Sequence, residues 1–373
     1  MRSHITSALR AGRPTARLAL GLVTVLALAA CGGDDDSTSD TLDPNADLSK
    51  QRLVISNWDA YTPEGLIPSF TEEFGAQVEL TTHATNEEIV GKLLQSKGEG
   101  YDVAFVSAQF AQQLHEAGLL AEIDPSLIPN LSALAPEAKQ LPTDPGLTFS
   151  VPYTWGTTGL CYRADLVSEE PTSWYDLLRP SEDLKGRITM LQTDRWMLLP
   201  AQKALGFSVN TTDDDELAQV EQLLLEAKPN LLAFDDTTFY SRLVSGEAAL
   251  VEAWDGWCNY AIAENDQVRF VIPEEGSDLW ADTMVILAAS ENKEAAHAFI
   301  NWVLEPENHK QVAELVLYKV PNPEAMAMLD PALLEQFPNL AMSPEELLKG
   351  EALLDLGDAT SKYTDIVTRV VSS

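Results

Sequence analysis

The sequence predicts an α/β protein made of two units, each a mostly parallel sheet flanked by helices. Three observations predict it. Short β-rich runs alternate with runs of helical period from residue 52 onward. Several helical runs open on a Ser, Thr or Asp cap or close on glycine. The alternation occurs twice, over residues 52–118 and again over residues 157–280, which is the order that builds parallel sheets with crossover helices. With 373 residues, 45% of them hydrophobic, the chain is long enough for two domains with sizeable cores.

Residues 1–30 read as a signal peptide. Arg2, Arg10, Arg13 and Arg17 make a basic start, and residues 18–30 form an apolar segment too short to remain as a membrane-spanning helix. The segment ends Leu28-Ala29-Ala30-Cys31, which resembles a bacterial lipobox: cleavage precedes Cys31 and the thiol is lipid-modified. Residues 31–50, opening on Gly32-Gly33-Asp34-Asp35-Asp36, read as a flexible acidic tether. Residues 1–30 carry four arginines and no acid, so their removal would take the formal charge from −34 to −38. Such a chain repels phosphate backbones, which argues against nucleic acid as a partner and is compatible with small cations. Solubility alone would also explain the charge.

In the first unit, residues 52–56 read as a strand, followed by Asn57-Trp58-Asp59-Ala60-Tyr61. Thr62 reads as a helix cap with Pro63 behind it, and Gly75 closes that helix. A strand over 77–82, a helix over 86–97, a strand over 102–106 and a helix from Ser107 to Gly118 complete the unit. Residues 150–162 read as one extended strand interrupted by glycine. The second unit continues with a short helix at Trp174 capped by Ser173, a strand over 187–191, and helices over 197–206 and 213–227. The acids at 213–216 suit a helix N-terminus. A helix over 239–245, a strand over 248–253, Trp254-Asp255-Gly256-Trp257 with a further helix, and a strand over 268–272 follow. After residue 287 the chain reads as mainly helical, including 343–356 and 363–371.

The stretch Trp280-Ala281-Asp282 leads into a β-rich run. Residues two apart on a strand share a face, so an indole and a carboxylate would stand side by side, the pairing an amine requires. Read alone, the same pair is equally a core tryptophan beside a turn aspartate. Trp58, Ser107, Trp254 and Asp255 each follow a strand and precede a helix, and ligands of open α/β sheets bind at the carboxyl ends of strands. Ser107 alone is also a helix cap, and Trp58 alone a core residue. Cys161 and Cys258 are a candidate disulfide whose pairing the separation leaves open. The five histidines are scattered and no metal-ligand spacing occurs. No G-x-S-x-G, H-E-x-x-H or Cys/His arrangement is present, so the chain does not read as an enzyme.

Six segments, in order, resemble the substrate-binding proteins of bacterial ABC transporters, specifically the spermidine/putrescine-binding group. They are Ser56-Asn57-Trp58 with Tyr61-Thr62-Pro63, Tyr101-Asp102-Val103 through Ser107, Val151-Pro152-Tyr153-Thr154-Trp155-Gly156, Leu205-Gly206-Phe207-Ser208 with Asn210-Thr211-Thr212-Asp213, Trp280-Ala281-Asp282, and Tyr318-Lys319-Val320-Pro321-Asn322. The resemblance implies the type II periplasmic-binding-protein fold, two α/β lobes with the ligand closed between them. Lobe 1 would be 51–156 with 284–325, and lobe 2 would be 157–283 with 326–373. It implies a pocket lined by Trp58, Tyr61, Ser107, Trp254, Trp280, Asp282 and Tyr318, with Asp59 and Asp255 as further acids. It also implies no cofactor, a small cationic amine as ligand, an ABC permease as partner, and a monomer on the extracytoplasmic face held by the Cys31 lipid. Positions where spermidine binders carry second-lobe carboxylates fall on Thr193 and Trp196, and a position that is acidic in some putrescine binders is Trp257. An unpaired buried ammonium is costly, so a diamine, a monoamine or another small organic cation fits better than a triamine. Alternatives of the same fold are a binder of an amino-acid-like compound, an anion or a metal, or a sensory binding protein.

Overall fold

A computed structural model describes residues 42–373. The signal peptide, Cys31 and the first part of the tether lie outside the described residues. From Asp43 the chain is already held to the fold: its backbone N–H donates to Glu294 at 3.3 Å, and Leu48, in the short 3₁₀ turn Leu48–Lys50, packs against the core. The expected tether therefore ends before residue 50.

The described strands are β1 Arg52–Trp58, β2 Gln77–His83, β3 Val103–Ser107, β4 Val151–Gly156, β5 Thr158–Arg163, β6 Ile188–Met190, β7 Ala233–Phe234, β8 Leu250–Trp254, β9 Val268–Val271, β10 Asp278–Ile286 and β11 Glu351–Ala352. They form two sheets. In the first, β1 lies parallel between β2 and β3, and β10 runs antiparallel to both β3 and β4. In the second the order is β7-β6-β8-β5-β9, with β5 antiparallel to both of its neighbours. The α/β class is thus as expected, and each sheet carries antiparallel strands beside its parallel ones. β4 and β5 belong to different sheets and are separated only by Thr157, so the expected single strand over 150–162 is two.

β3, β4 and β10 are buried along their whole length, as strands covered on both faces are. Their near-continuous apolar character follows from that. Cys161 in β5 and Cys258 in the helix Asp255–Glu264 are disulfide-bonded across 97 residues, which ties that helix to the second sheet.

Two local expectations fail for physical reasons. Thr62 does not cap a helix. Its hydroxyl accepts from Asn57 Nδ2 at 2.8 Å, and the helix begins at Leu66 after Gly65. Residues 343–356 are not one helix. Ser343 and Glu346 form a capping box on the short helix Pro344–Leu347, after which the chain turns into β11 and pairs parallel with the start of β10.

Candidate functional site

A cavity of about 360 Å³ lies where strands of both sheets end. The first sheet contributes Trp58 and Asp59 at the end of β1, Ser107 at the end of β3, and Trp280 and Asp282 on β10. The second contributes Trp254 at the end of β8. Tyr61 and Tyr318, on loops, complete the predicted set that reaches the cavity.

Asp282 organises this wall. Its register places it opposite Ser107 on one side and Thr154 on the other. Ser107 Oγ donates to Oδ1 at 2.7 Å, and Tyr61 OH donates to Oδ2 at 2.9 Å, with Thr154 Oγ1 at 3.4 Å. Burial pushes the Asp282 carboxyl up to about 6, and the three hydroxyls pull the other way. Ser107 occupies the N-cap position of the helix Ala108–Glu116 yet makes no cap bond with its side chain. Its hydroxyl is used on Asp282, so the simple capping role does not describe it.

The loop carrying Trp58 and Tyr61 is fixed from below. Buried Asn57 donates to Thr62 Oγ1 at 2.8 Å, and Tyr153 OH donates to the Tyr61 carbonyl at 2.6 Å. Trp58 stands edge-on to Tyr61 with centroids 5.4 Å apart. Trp280 meets Tyr318 in the same manner at 4.8 Å. Two glycines permit this packing: a Cβ on Gly156 would overlap the Trp280 ring, and one on Gly256 would overlap Tyr318. The aromatic wall is therefore closely packed at these two points.

Asp255 does not join the cavity lining. It is fully buried and ion-paired with Lys319 Nζ, which also donates to the Asn339 carbonyl at 2.9 Å. Burial raises its carboxyl, and the Lys319 ammonium opposes that rise. Its place at a strand end is as expected, but a cation from its own chain already occupies it. Arg195, next to Trp196 in the chain, likewise turns away, donating to the carbonyls of Leu354 at 2.6 Å and Val209 at 3.0 Å.

The sequence reading missed two groups. Ala84, Thr85, Asn86 and Glu87 line the cavity from the end of β2, and Asp236 and Thr237 from the end of β7. The first follows a strand that the sequence does show, so the same strand-end rule would have found it. β7 has only two residues and left no pattern to read. Thr193, Trp196 and Trp257, marked above as departures at family ligand positions, also line the cavity. Trp196 is aimed by its Nε1–H, which donates to buried Asp278 at 2.8 Å. Leu191 N–H donates to Glu252 at 3.0 Å and Gln192 N–H to Asp236 at 2.7 Å, so carboxylates grip the loop that leads into Trp196. The lining thus holds Asp59, Glu87, Asp236 and Asp282, five tryptophans and two tyrosines, and no Lys, Arg or His. Chemically such a lining suits a cation with apolar parts.

The sequence pattern of the bacterial extracellular solute-binding proteins matches residues 65–339. The chain is 33% identical over 314 residues to the spermidine/putrescine-binding periplasmic protein of Salmonella typhimurium, covering 84% of this chain and 89% of that protein. It is 28% identical over 335 residues to a putrescine/agmatine-binding protein of Pseudomonas aeruginosa, covering 85% of this chain and 90% of the other. Among solved structures, a spermidine/putrescine ABC-transporter substrate-binding protein from Streptococcus pneumoniae superposes with a TM-score of 0.76 at 32% identity, covering 86% of this chain and 99% of that one. A Treponema pallidum lipoprotein superposes at 0.78 with 28% identity, over 86% and 99% of the two chains.

Proposed function

The chain belongs to the bacterial extracellular solute-binding proteins, a family of transport receptors and not of enzymes, and from that premise we propose that it captures a small organic amine and delivers it to an ABC importer. The observation that carries the reading is Asp282: a buried carboxylate, bonded to hydroxyls and, among the described residues, to no cation, in an aromatic cavity whose lining contains no base. An ammonium placed there gains a desolvated charge partner and ring faces for its methylenes. The names of the relatives point to the same ligand class. Thr193 and Trp196 stand at positions acidic in spermidine binders, which favours a short diamine over a triamine.

Lobe 1 is 51–156 with 284–325, and lobe 2 is 157–283 with 326–373. The passage from β4 to β5 through Thr157 supports one crossing between them. Ligand binding draws the lobes together, and the closed form docks on the permease. Calorimetry with putrescine, spermidine, n-butylamine and glycine betaine tests the reading. Putrescine is expected to bind most tightly. Silence from all four, with an anion or ferric iron binding instead, overturns it.

Anchoring through Cys31 on the extracytoplasmic face completes the proposal, and one of the similar structures, from T. pallidum, is of a lipoprotein. Palmitate labelling of cells expressing the full chain should be lost in Cys31→Ser; label retained in that variant rejects the anchor.

A further inference from the structure

We infer that Asp236 is the second ammonium anchor of the cavity, placed at the edge of the second sheet while Asp282 stands on the first, so that the ligand carries a positive charge at each end of a short apolar chain. This rests on the amine reading and supplies the partner for the ligand's far end. Asp282 lies on β10 of the first sheet, whereas Asp236 follows β7 of the second, and both line the same cavity.

The bonds of Asp236 leave its charge uncompensated. One oxygen accepts from Gln192 N–H at 2.7 Å and the other from the Thr193 hydroxyl at 3.1 Å, both neutral donors. None of the ion pairs among the described residues includes it. Its neighbour Asp235 shows what a structural aspartate does here. Asp235 accepts from the Thr237 and Thr238 backbone N–H groups at 3.0 and 2.7 Å, ahead of the helix Phe239–Ser245, and pairs with Arg242 at 2.7 Å. Asp236 makes neither bond, so the turn does not need its charge for those purposes.

The surroundings sharpen the point. Burial holds the carboxyl of Glu252 well above its ordinary value, and Asp236 and Asp278 add to that rise, so this side of the cavity is acidic in depth, with no base in the lining to balance it. The other two lining acids differ. Asp59 and Glu87 are exposed to solvent, which screens them, and Glu87 sits in the first turn of the helix Asn86–Ser96, where a carboxylate already serves the helix terminus. Asp236 is half-buried and is the one lining acid of the second sheet. Tryptophan and tyrosine rings make up most of the remaining wall, the surface that methylenes prefer.

Putrescine and n-butylamine share a four-carbon chain and differ by one ammonium, so their affinity ratio reads the second anchor. By calorimetry the wild type should favour putrescine at least about tenfold, and Asp236→Asn should remove most of that preference by weakening putrescine alone. Asp236→Glu keeps the charge but lengthens the side chain, and should retain a diamine preference shifted toward 1,3-diaminopropane. Asp282→Asn should weaken both ligands. The inference is overturned if Asp236→Asn and Asp236→Glu both leave the ratio unchanged while Asp282→Asn still weakens putrescine; the amine reading then stands without it. If no amine binds the wild type, the amine reading fails and this inference fails with it.

Discussion

Asp282→Asn is expected to weaken amine binding by about 2–5 kcal/mol, the range for truncating one partner of a desolvated charge pair. The substitution keeps the shape of the side chain and the hydroxyls of Ser107, Tyr61 and Thr154 around it, so the loss reports charge and not packing. The pH dependence follows from the carboxyl being raised to about 6 in the empty protein. A cation requires the ionised form. Affinity should therefore be flat above pH 7 and fall as the pH drops through 6, approaching tenfold per unit, with one proton released on binding below that point. The stability sign is the reverse. A carboxyl raised above its ordinary value contributes stability that is present below that value and lost as the pH rises through about 6, so Asp282 destabilises the empty protein at neutral pH. Asp282→Asn should accordingly raise the unfolding free energy of the ligand-free protein at pH 7.5, read by urea denaturation, by on the order of 1 kcal/mol. Unchanged affinity in this variant would remove Asp282 from the site.

The parts of this site that were legible in the sequence were those set by period and position. Trp280 and Asp282 share a face because a strand repeats every two residues, and Trp58, Ser107 and Trp254 reach one crevice because each ends a strand of an open sheet. What the sequence could not carry was partnership. Asp235 and Asp236 are adjacent and chemically identical, yet one holds a helix start and Arg242 while the other lines the cavity. The division depends on a two-residue strand that leaves no pattern, and on how the chain turns after it. Ser107 posed the same problem, since a serine before a helix looks like a cap whether or not its hydroxyl is engaged elsewhere.

The three buried aspartates around the site show how partners divide the work. Asp278 accepts from the Thr158 backbone N–H at 2.8 Å and from Trp196 Nε1 at 2.8 Å, donors that cannot rotate away, and so it fixes the wall. Asp255 holds a lysine of its own chain. Asp282 has hydroxyls, which can rotate and accept as well as donate, and so its environment can readjust when an ammonium arrives. Equal burial thus yields a brace, an ion pair and a receptor, according to the neighbour each acid meets.

Lys319→Met is expected to lower the apparent stability by about 3–5 kcal/mol in urea denaturation, the usual result of stripping one member from a buried ion pair. Lys319 and Asp255 are both almost wholly buried, and among the described residues the ammonium has no other anion within ion-pair distance. Without it the Asp255 carboxylate would stay desolvated with little beyond the Gly256 N–H, at 3.0 Å, to stabilise it. Adding Asp255→Asn should recover a large part of the loss, because the remaining penalty is then that of an amide and not of a charge. The effect should also reach the ligand. Lys319 follows Tyr318 in the chain, Asp255 follows Trp254, and the Lys319 carbonyl accepts from Trp155 N–H at 3.1 Å beside the β4–β5 junction. The pair therefore braces the back of two cavity walls where the chain passes between sheets. Putrescine affinity in Lys319→Met should fall even under conditions where the protein remains folded, and the double variant should restore it in part. A single variant as stable as the wild type would mean that water or a neighbouring donor reaches Asp255, and the brace would have to be sought elsewhere.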